Sequence, residues 1–135
     1  MKGILLDTDT ISYFFRGIPQ IKEKVEQHLH SQQGINISVI SYYEVCNGLY
    51  YRDAKQQLQQ FKKFAAHCTI LPLNQEIADL AAKIFADLRK KGKTVGHTDI
   101  LIAGTAIFYE LELITNNTKH FDAIEKLNMA NWMVG

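Results

Sequence analysis

Apolar positions along this chain fall into two alternating patterns. Short runs of consecutive apolar residues predict strands covered on both faces, and apolar residues three and four apart predict helices with one buried stripe. Ile4-Leu5-Leu6 is the first short run, and Asp7 ends it. Thr8, Asp9 and Thr10 can cap the helix that follows. Ile18, Ile21, Val25 and Leu29 recur at helical spacing, with Pro19 suited to the first turn of that helix and Gly34 to its end. Ile35 to Ile40 reads as a second strand. Ser41-Tyr42-Tyr43-Glu44 fits a capping box and predicts a helix reaching Tyr51. A more polar helix is expected from Asp53 to Ala66, with Leu58, Phe61 and Phe64 facing inward. Thr69 to Leu73 is a third strand. Asn74 then caps a helix whose stripe is Ile77, Leu80, Ala81, Ile84 and Leu88, and which stops at Gly92. Gly96-His97-Thr98 reads as a loop, and Asp99 opens a nearly all-apolar helix, Ile100 to Tyr109, expected at the centre of the domain. Leu113-Ile114-Thr115 is a fourth strand, Asn116 to His120 a polar loop, and the tail adds an edge strand near Trp132.

Strands alternating with helices predict an α/β domain with a mostly parallel sheet and helices on both faces. The 135 residues fit one domain, residues 1–135, large enough to bury a core without staples. Hydrophobic content of 47% and charged content of 21% suit an ordinary soluble protein. The opening apolar run is too short for a signal peptide, and no stretch approaches the ~20 apolar residues of a membrane span. A cytoplasmic protein with no membrane partner is therefore expected. Cys46 and Cys68 match no metal or redox spacing and are expected as buried, reduced thiols. The net charge of +1 gives no long-range pull on nucleic acid, so RNA contacts must come from local patches. Lys62-Lys63, Arg89-Lys90-Lys91 with Lys93, and Lys119 are the candidates, although the Arg89 run equally suits a helix C-terminus.

Parallel sheets form their sites at the carboxyl ends of strands. Asp7 follows the first strand, Glu44 lies one helical turn beyond the second, Asp99 starts the apolar helix, and Asn117 follows the fourth strand. Carboxylates gathered in one cleft repel each other unless a cation sits among them. Hard oxygen ligands select Mg²⁺ or Mn²⁺ over zinc, and such an ion activates water and offsets charge on a phosphodiester. Each acid also has a plainer reading. Glu44 completes the capping box with Ser41, and Asp9 and Asp99 suit helix N-termini. Asp7 is harder to explain that way, because an idle carboxylate at the end of a buried strand costs stability.

These residues resemble the motifs of PIN domains. Gly3-Ile4-Leu5-Leu6-Asp7-Thr8-Asp9 is similar to the opening strand and first acid, and Ile40-Ser41-Tyr42-Tyr43-Glu44-Val45 to the second acidic motif. Gly96-His97-Thr98-Asp99-Ile100-Leu101-Ile102-Ala103-Gly104-Thr105-Ala106 resembles the third, and Leu113 to Phe121 the closing motif. The four occur in family order over residues 3–121, and the short chain looks most like the VapC-type toxins. The resemblance implies a three-layer α/β/α fold and a Mg²⁺- or Mn²⁺-dependent endoribonuclease, the toxin of a toxin–antitoxin pair. It implies Asp7, Glu44 and Asp99 as metal ligands and Asn117 at the family's fourth acidic position. An amide there supplies no charge, which puts a second metal in doubt. It further implies that Thr115 hydrogen-bonds a metal-bound water, that Asp9 stands just outside the ligands, and that the partners are RNA, a cognate antitoxin and a second copy in a homodimer.

Two other readings remain open. Asp7-Thr8-Asp9-Thr10 carries the paired acids of the D-x-D-x-T signature of haloacid-dehalogenase-type phosphatases, but the downstream acidic pair of that class is missing after Asp99. Alternatively the acidic site has decayed, with Asn117 as the sign, leaving an RNA-binding module without cleavage. His28 and His30 do not share a helix face, while His97 and His120 flank the motifs and are expected at the surface. Tyr42, Tyr43, Tyr50 and Tyr51 are candidates for stacking on bases, or for packing in the core or at an interface.

Overall fold

A computed structural model describes residues 3–134. Its sheet has five strands in the order β3-β2-β1-β4-β5, every neighbouring pair parallel. The strands are β1 (Ile4–Leu6), β2 (Asn36–Ser38), β3 (Thr69–Leu71), β4 (Glu112–Ile114) and β5 (Met129–Ala130). The helices are α1 (Thr8–Phe15), α2 (Pro19–Leu29), α3 (Val39–Tyr51), α4 (Lys55–Ala66), α5 (Gln75–Lys90), α6 (His97–Phe108) and α7 (Thr118–Phe121). The three-layer α/β/α architecture expected from the alternation is present.

Strand periodicity divides the core into two layers. Ile4, Leu6, Ile37 and Ile114 point into a cluster with Ile11, Val25, Phe61 and Trp132. Leu5 and Leu113 point the other way, toward Ile100, Ile102, Ala106 and Phe121. Leu5, Leu6, Ile37 and Leu113 are all fully buried, each worth about 1.5–3 kcal/mol relative to exposure. Helix α6 is buried through its middle, at Ile100 and from Ile102 to Ala106, as its apolar run predicts.

Several boundaries differ from the sequence reading. The second strand ends at Ser38, whose hydroxyl accepts from the Ile40 N–H and caps α3. Ser41 and Glu44 therefore lie inside the helix and form no capping box. Asp7, not Thr8 to Thr10, caps α1. Gly34 (φ 62°) does not end α2, which stops at Leu29; it turns the chain into β2. Gly92 (φ 73°) does follow the end of α5, in the left-handed geometry that a side chain disfavours. Helix α4 starts at Lys55 because Asp53 is left-handed (φ 56°). The third and fourth strands are each shifted or shortened to three residues, and the tail strand is Met129–Ala130 rather than the segment at Trp132. His97 and Thr98 are helical, since Gly96 caps α6, and the expected polar loop carries α7. Both cysteines are free; burial pushes the Cys68 thiol up to about 12, so it is inert as a nucleophile. Among the described residues no helix is long and apolar enough to cross a membrane.

Helices α5 and α6 meet closely at Gly104. A Cβ there would stand 3.4 Å from the Ala81 Cβ and 3.5 Å from the Ile77 carbonyl oxygen. Gly104→Ala is expected to keep the parent's stability. Gly104→Leu is expected to lose about 1–3 kcal/mol by overpacking, measured by urea unfolding. A leucine variant as stable as the parent would contradict this close approach.

Candidate active site

The strand order sets the location. From β1 the chain crosses to β2 on one side, whereas β4 lies on the other side of β1 and leads to β5. The carboxyl ends of β1 and β4 thus flank the point where the order reverses, the crevice that open α/β sheets use for sites. Asp7 and Thr115 are the first residues beyond those two strands. Asp7 is 4% exposed. Its Oδ1 accepts from the Thr8 N–H at 2.9 Å and its Oδ2 from the Thr115 hydroxyl at 2.8 Å, while its own N–H donates to the Ile114 carbonyl. The Thr115 oxygen also accepts from the Asn117 N–H at 3.0 Å. The threonine hydrogen is thus already engaged with Asp7, where the sequence reading had it serving a bound water.

Asp9 faces the same crevice, with Oδ2 accepting from the Asn116 N–H at 3.0 Å and Oδ1 lying 3.2 Å from the Thr10 hydroxyl. Asp99 sits in the first turn of α6, its Oδ2 3.5 Å from Nδ1 of the exposed His120. Glu44 comes from α3, and its Oε1 accepts from the Thr8 hydroxyl at 2.7 Å. That hydroxyl also lies 3.0 Å from the hydroxyl of fully buried Ser41. Thr8 therefore joins the first acidic motif to the second, a role invisible in the sequence, where Thr8 and Ser41 read as caps. Asn117 is exposed and stands at the N-cap of α7 with no side-chain capping bond. Of the tyrosines, Tyr42 packs on Phe61, whereas Tyr43, Tyr50 and Tyr51 are exposed.

Charge is crowded here. Burial pushes the Asp7 carboxyl up to about 7, the Asp9 charge and, less, the Asp99 charge push the same way, and the Thr115 and Thr8 hydrogen bonds oppose them. Asp9 is also raised, first by burial, with Asp99 adding to it against the hydrogen bonds from Asn116 and Thr10. Three acids thus feel one another across the crevice, and Glu44 adjoins them through Thr8. Among the described residues, no three His, Cys, Asp or Glu side chains stand close enough to hold one ion as they lie. The donor chemistry nevertheless fits a hard divalent cation: all-oxygen, anionic, and strained by mutual repulsion that a cation would relieve.

A group whose folded pKa is raised stabilises the fold most below its unfolded value, and that contribution is lost as pH rises through the folded value. For Asp7 the window runs from about 4 to about 7. In EDTA, Asp7→Asn is therefore expected to match the parent near pH 4 and to exceed it by a few kcal/mol at pH 8. Denaturant unfolding at the two pH values measures this. An asparagine variant less stable than the parent at pH 8 would mark Asp7 as a structural charge.

The profile of the PIN domain matches residues 4–127 of this chain. Ribonuclease VapC1 of Haemophilus influenzae is 29% identical over 130 residues, covering 95% of this chain and 96% of that protein. Among solved structures, the DNA-bound VapBC from Salmonella typhimurium superposes with a TM-score of 0.87 at 27% identity, covering 98% of this chain and 99% of that one. VapBC2 from Rickettsia felis, bound to a DNA fragment from their promoter, gives 0.86 at 27% identity over 96% and 98% of the two chains. With the order of its acidic motifs, its sheet topology and this match over nearly its whole length in agreement, the chain belongs to the PIN domain family.

Proposed function

We infer that this protein is an endoribonuclease of the VapC type, the toxin of a toxin–antitoxin pair. Near full-length similarity to ribonucleases named VapC and to VapBC complexes supports that reading. The observation that carries the chemistry is the gathering of buried Asp7 with partly exposed Asp9 and Asp99 in one crevice at the carboxyl ends of β1 and β4. Asp7, Glu44 and Asp99 hold Mg²⁺ or Mn²⁺ in this proposal. When bound, such an ion supplies an activated water and positive charge beside the scissile phosphate. Asp7 is the anchor, because its two hydrogen bonds fix its plane before any ion arrives. Thr8 orients Glu44 toward the same crevice from the neighbouring helix. Asn117, exposed at the mouth, offers a neutral carbonyl oxygen in place of a charge, in keeping with a single principal ion. RNA as substrate, a cognate antitoxin as inhibitor and a homodimeric state belong to the same proposal. Membership of the PIN domain family over residues 4–127 speaks against the phosphatase reading.

Purified protein free of antitoxin is expected to cut total cellular RNA into discrete products with Mg²⁺ or Mn²⁺. EDTA, Asp7→Asn and Asp99→Asn are each expected to abolish the cuts while the variants stay folded. Folded parent protein that binds RNA but cuts none with either ion would favour the decayed binding module. Independently of turnover, Mn²⁺ is expected to raise the parent's melting temperature at pH 8, and to raise that of Asp7→Asn far less. Equal shifts in the two proteins would remove Asp7 from the ion's ligands.

A further inference from the structure

The loop that follows β4 is held from behind by the C-terminal segment. Strand β5 pairs along β4, and the Ala130 carbonyl accepts from the Thr115 N–H at 3.0 Å. The chain then runs onto α2, where Trp132, 7% exposed, packs its ring 5.0 Å from that of His28. The Lys24 ammonium lies 5.8 Å from the centre of the same indole. Burial of one large ring fixes this strap in place. Asn131 stands between the strand and the buried ring. Its Oδ1 accepts from the Met133 N–H at 2.8 Å, and its Nδ2 donates to Oδ1 of Asn116 at 2.9 Å.

Asn116 is the residue through which the strap reaches the acids. Its backbone N–H donates to Asp9 Oδ2 at 3.0 Å, and its Nδ2 donates to the Tyr13 hydroxyl at 3.3 Å. Asp9 and Tyr13 are four residues apart on α1 and so share one face of it. Asn116 clamps that face with its backbone and its side chain together, and Asn131 holds the clamp from the other side. Support for the loop alone does not call for this arrangement, since β5 already binds Thr115 and Trp132 already anchors the strap. What the two amides add is direction. Asp9 is only partly buried, in the first turn of its helix, and the like charges of Asp7 and Asp99 favour a rotamer that carries its carboxylate out to water. The Asn116 N–H opposes that turn, with the Thr10 hydroxyl 3.2 Å from the other carboxylate oxygen.

We propose that Asn116 and Asn131 are positioning residues of the acidic site: through these two amides the C-terminal strap keeps the Asp9 carboxylate turned in beside Asp7, so that its charge is in place before a divalent cation enters. An acid just outside the ligands adds attraction for the ion and orients the groups that hold it. The part played toward the ion rests on the ribonuclease reading, whereas the hold on Asp9 does not need it. Asn131→Ala removes the donor to Asn116 and leaves β5 and Trp132 in place. Asn131→Asp keeps the link, because the Asn116 amide can turn over, donating to the introduced carboxylate and accepting from the Tyr13 hydroxyl.

Two measurements on the full-length chain test this. The first is the Asn116 amide proton in nitrogen–proton correlation spectra recorded in EDTA. Hydrogen bonds to a carboxylate are short and strong, and such a bond sets this proton downfield. Asn131→Ala is expected to move it upfield and Asn131→Asp to leave it near its place in the parent. The second is Mn²⁺ affinity, read from the electron paramagnetic resonance of the free ion. Asn131→Ala is expected to weaken it by about tenfold, the lower end of the loss for a partner outside the ligands, and Asn131→Asp by far less. A merely structural strap would lower the melting temperature of Asn131→Ala and leave the Mn²⁺ affinity of the folded protein unchanged. An Asn116 resonance that Asn131→Ala does not move, or that both variants move alike, overturns the proposal. A resonance that moves as expected while parent and Asn131→Ala bind Mn²⁺ equally overturns the role toward the ion. A resonance that moves as expected in a protein whose parent binds no Mn²⁺ overturns the ion reading of the site and keeps the strap's hold on Asp9.

Discussion

The parallel pairing of β1 with β4 is the constraint on which the rest of the molecule depends. Leu5 and Leu6 pair with Leu113 and Ile114 across the centre of the sheet, and all four are sealed from water. That pairing sends Asp7 and Thr115 out of the sheet side by side, at the one place where the connections diverge. A carboxylate is thereby fixed where solvation is poor, and its hydrogen bonds to Thr8 and Thr115 only partly compensate. The apolar pairing behind the site holds this unfavourable charge in place.

From that fixed point the other acids arrive by different routes. Asp9 comes from the first turn of α1 and is tied to the loop after β4 through the Asn116 N–H. Asp99 comes from α6, which is anchored in the core by Ile100 and by Ile102 to Ala106. Glu44 is the most loosely set, half-buried on α3 and oriented by one hydroxyl contact to Thr8. The site is thus rigid at Asp7 and adjustable at Glu44. That division suits an ion-binding site whose ligands close on the ion when it binds.

Much of the fold was legible because its signals are local. The apolar run Ile4-Leu5-Leu6 and the stripe of α5 read correctly, and Asn74 capped that helix as expected, its side chain accepting from the Ile77 N–H at 2.8 Å. The errors fell at boundaries, where equivalent cues compete. Ser38 and Ser41 can both cap a helix, and the choice went to Ser38 because β2 needs only three residues to span the narrow sheet. His97 and Thr98 looked like loop because a glycine precedes them, yet that glycine is itself the cap of α6. Likewise Thr118 to Phe121 folds as a short helix because Phe121 is buried against α6 and the strands, a tertiary cause.

The sequence alone determined the α/β class, the two-sided burial of the strands, and the order of the four motifs, since each follows from spacing along the chain. It also singled out Asp7 at a strand end, Glu44 one turn beyond another and Asp99 at the start of the apolar helix as candidates for the site. Only the tertiary structure decided which groups meet. Thr8 reaches Ser41 and Glu44 across more than thirty positions, and Thr115 reaches Asp7 across 108, contacts that no local pattern encodes. Likewise Arg16 and Arg52 are far apart in sequence, yet they line one groove because α1 and α3 end beside it. Local periodicity is written in neighbouring residues, but a site is made by distant ones, and their meeting is set by how the layers pack.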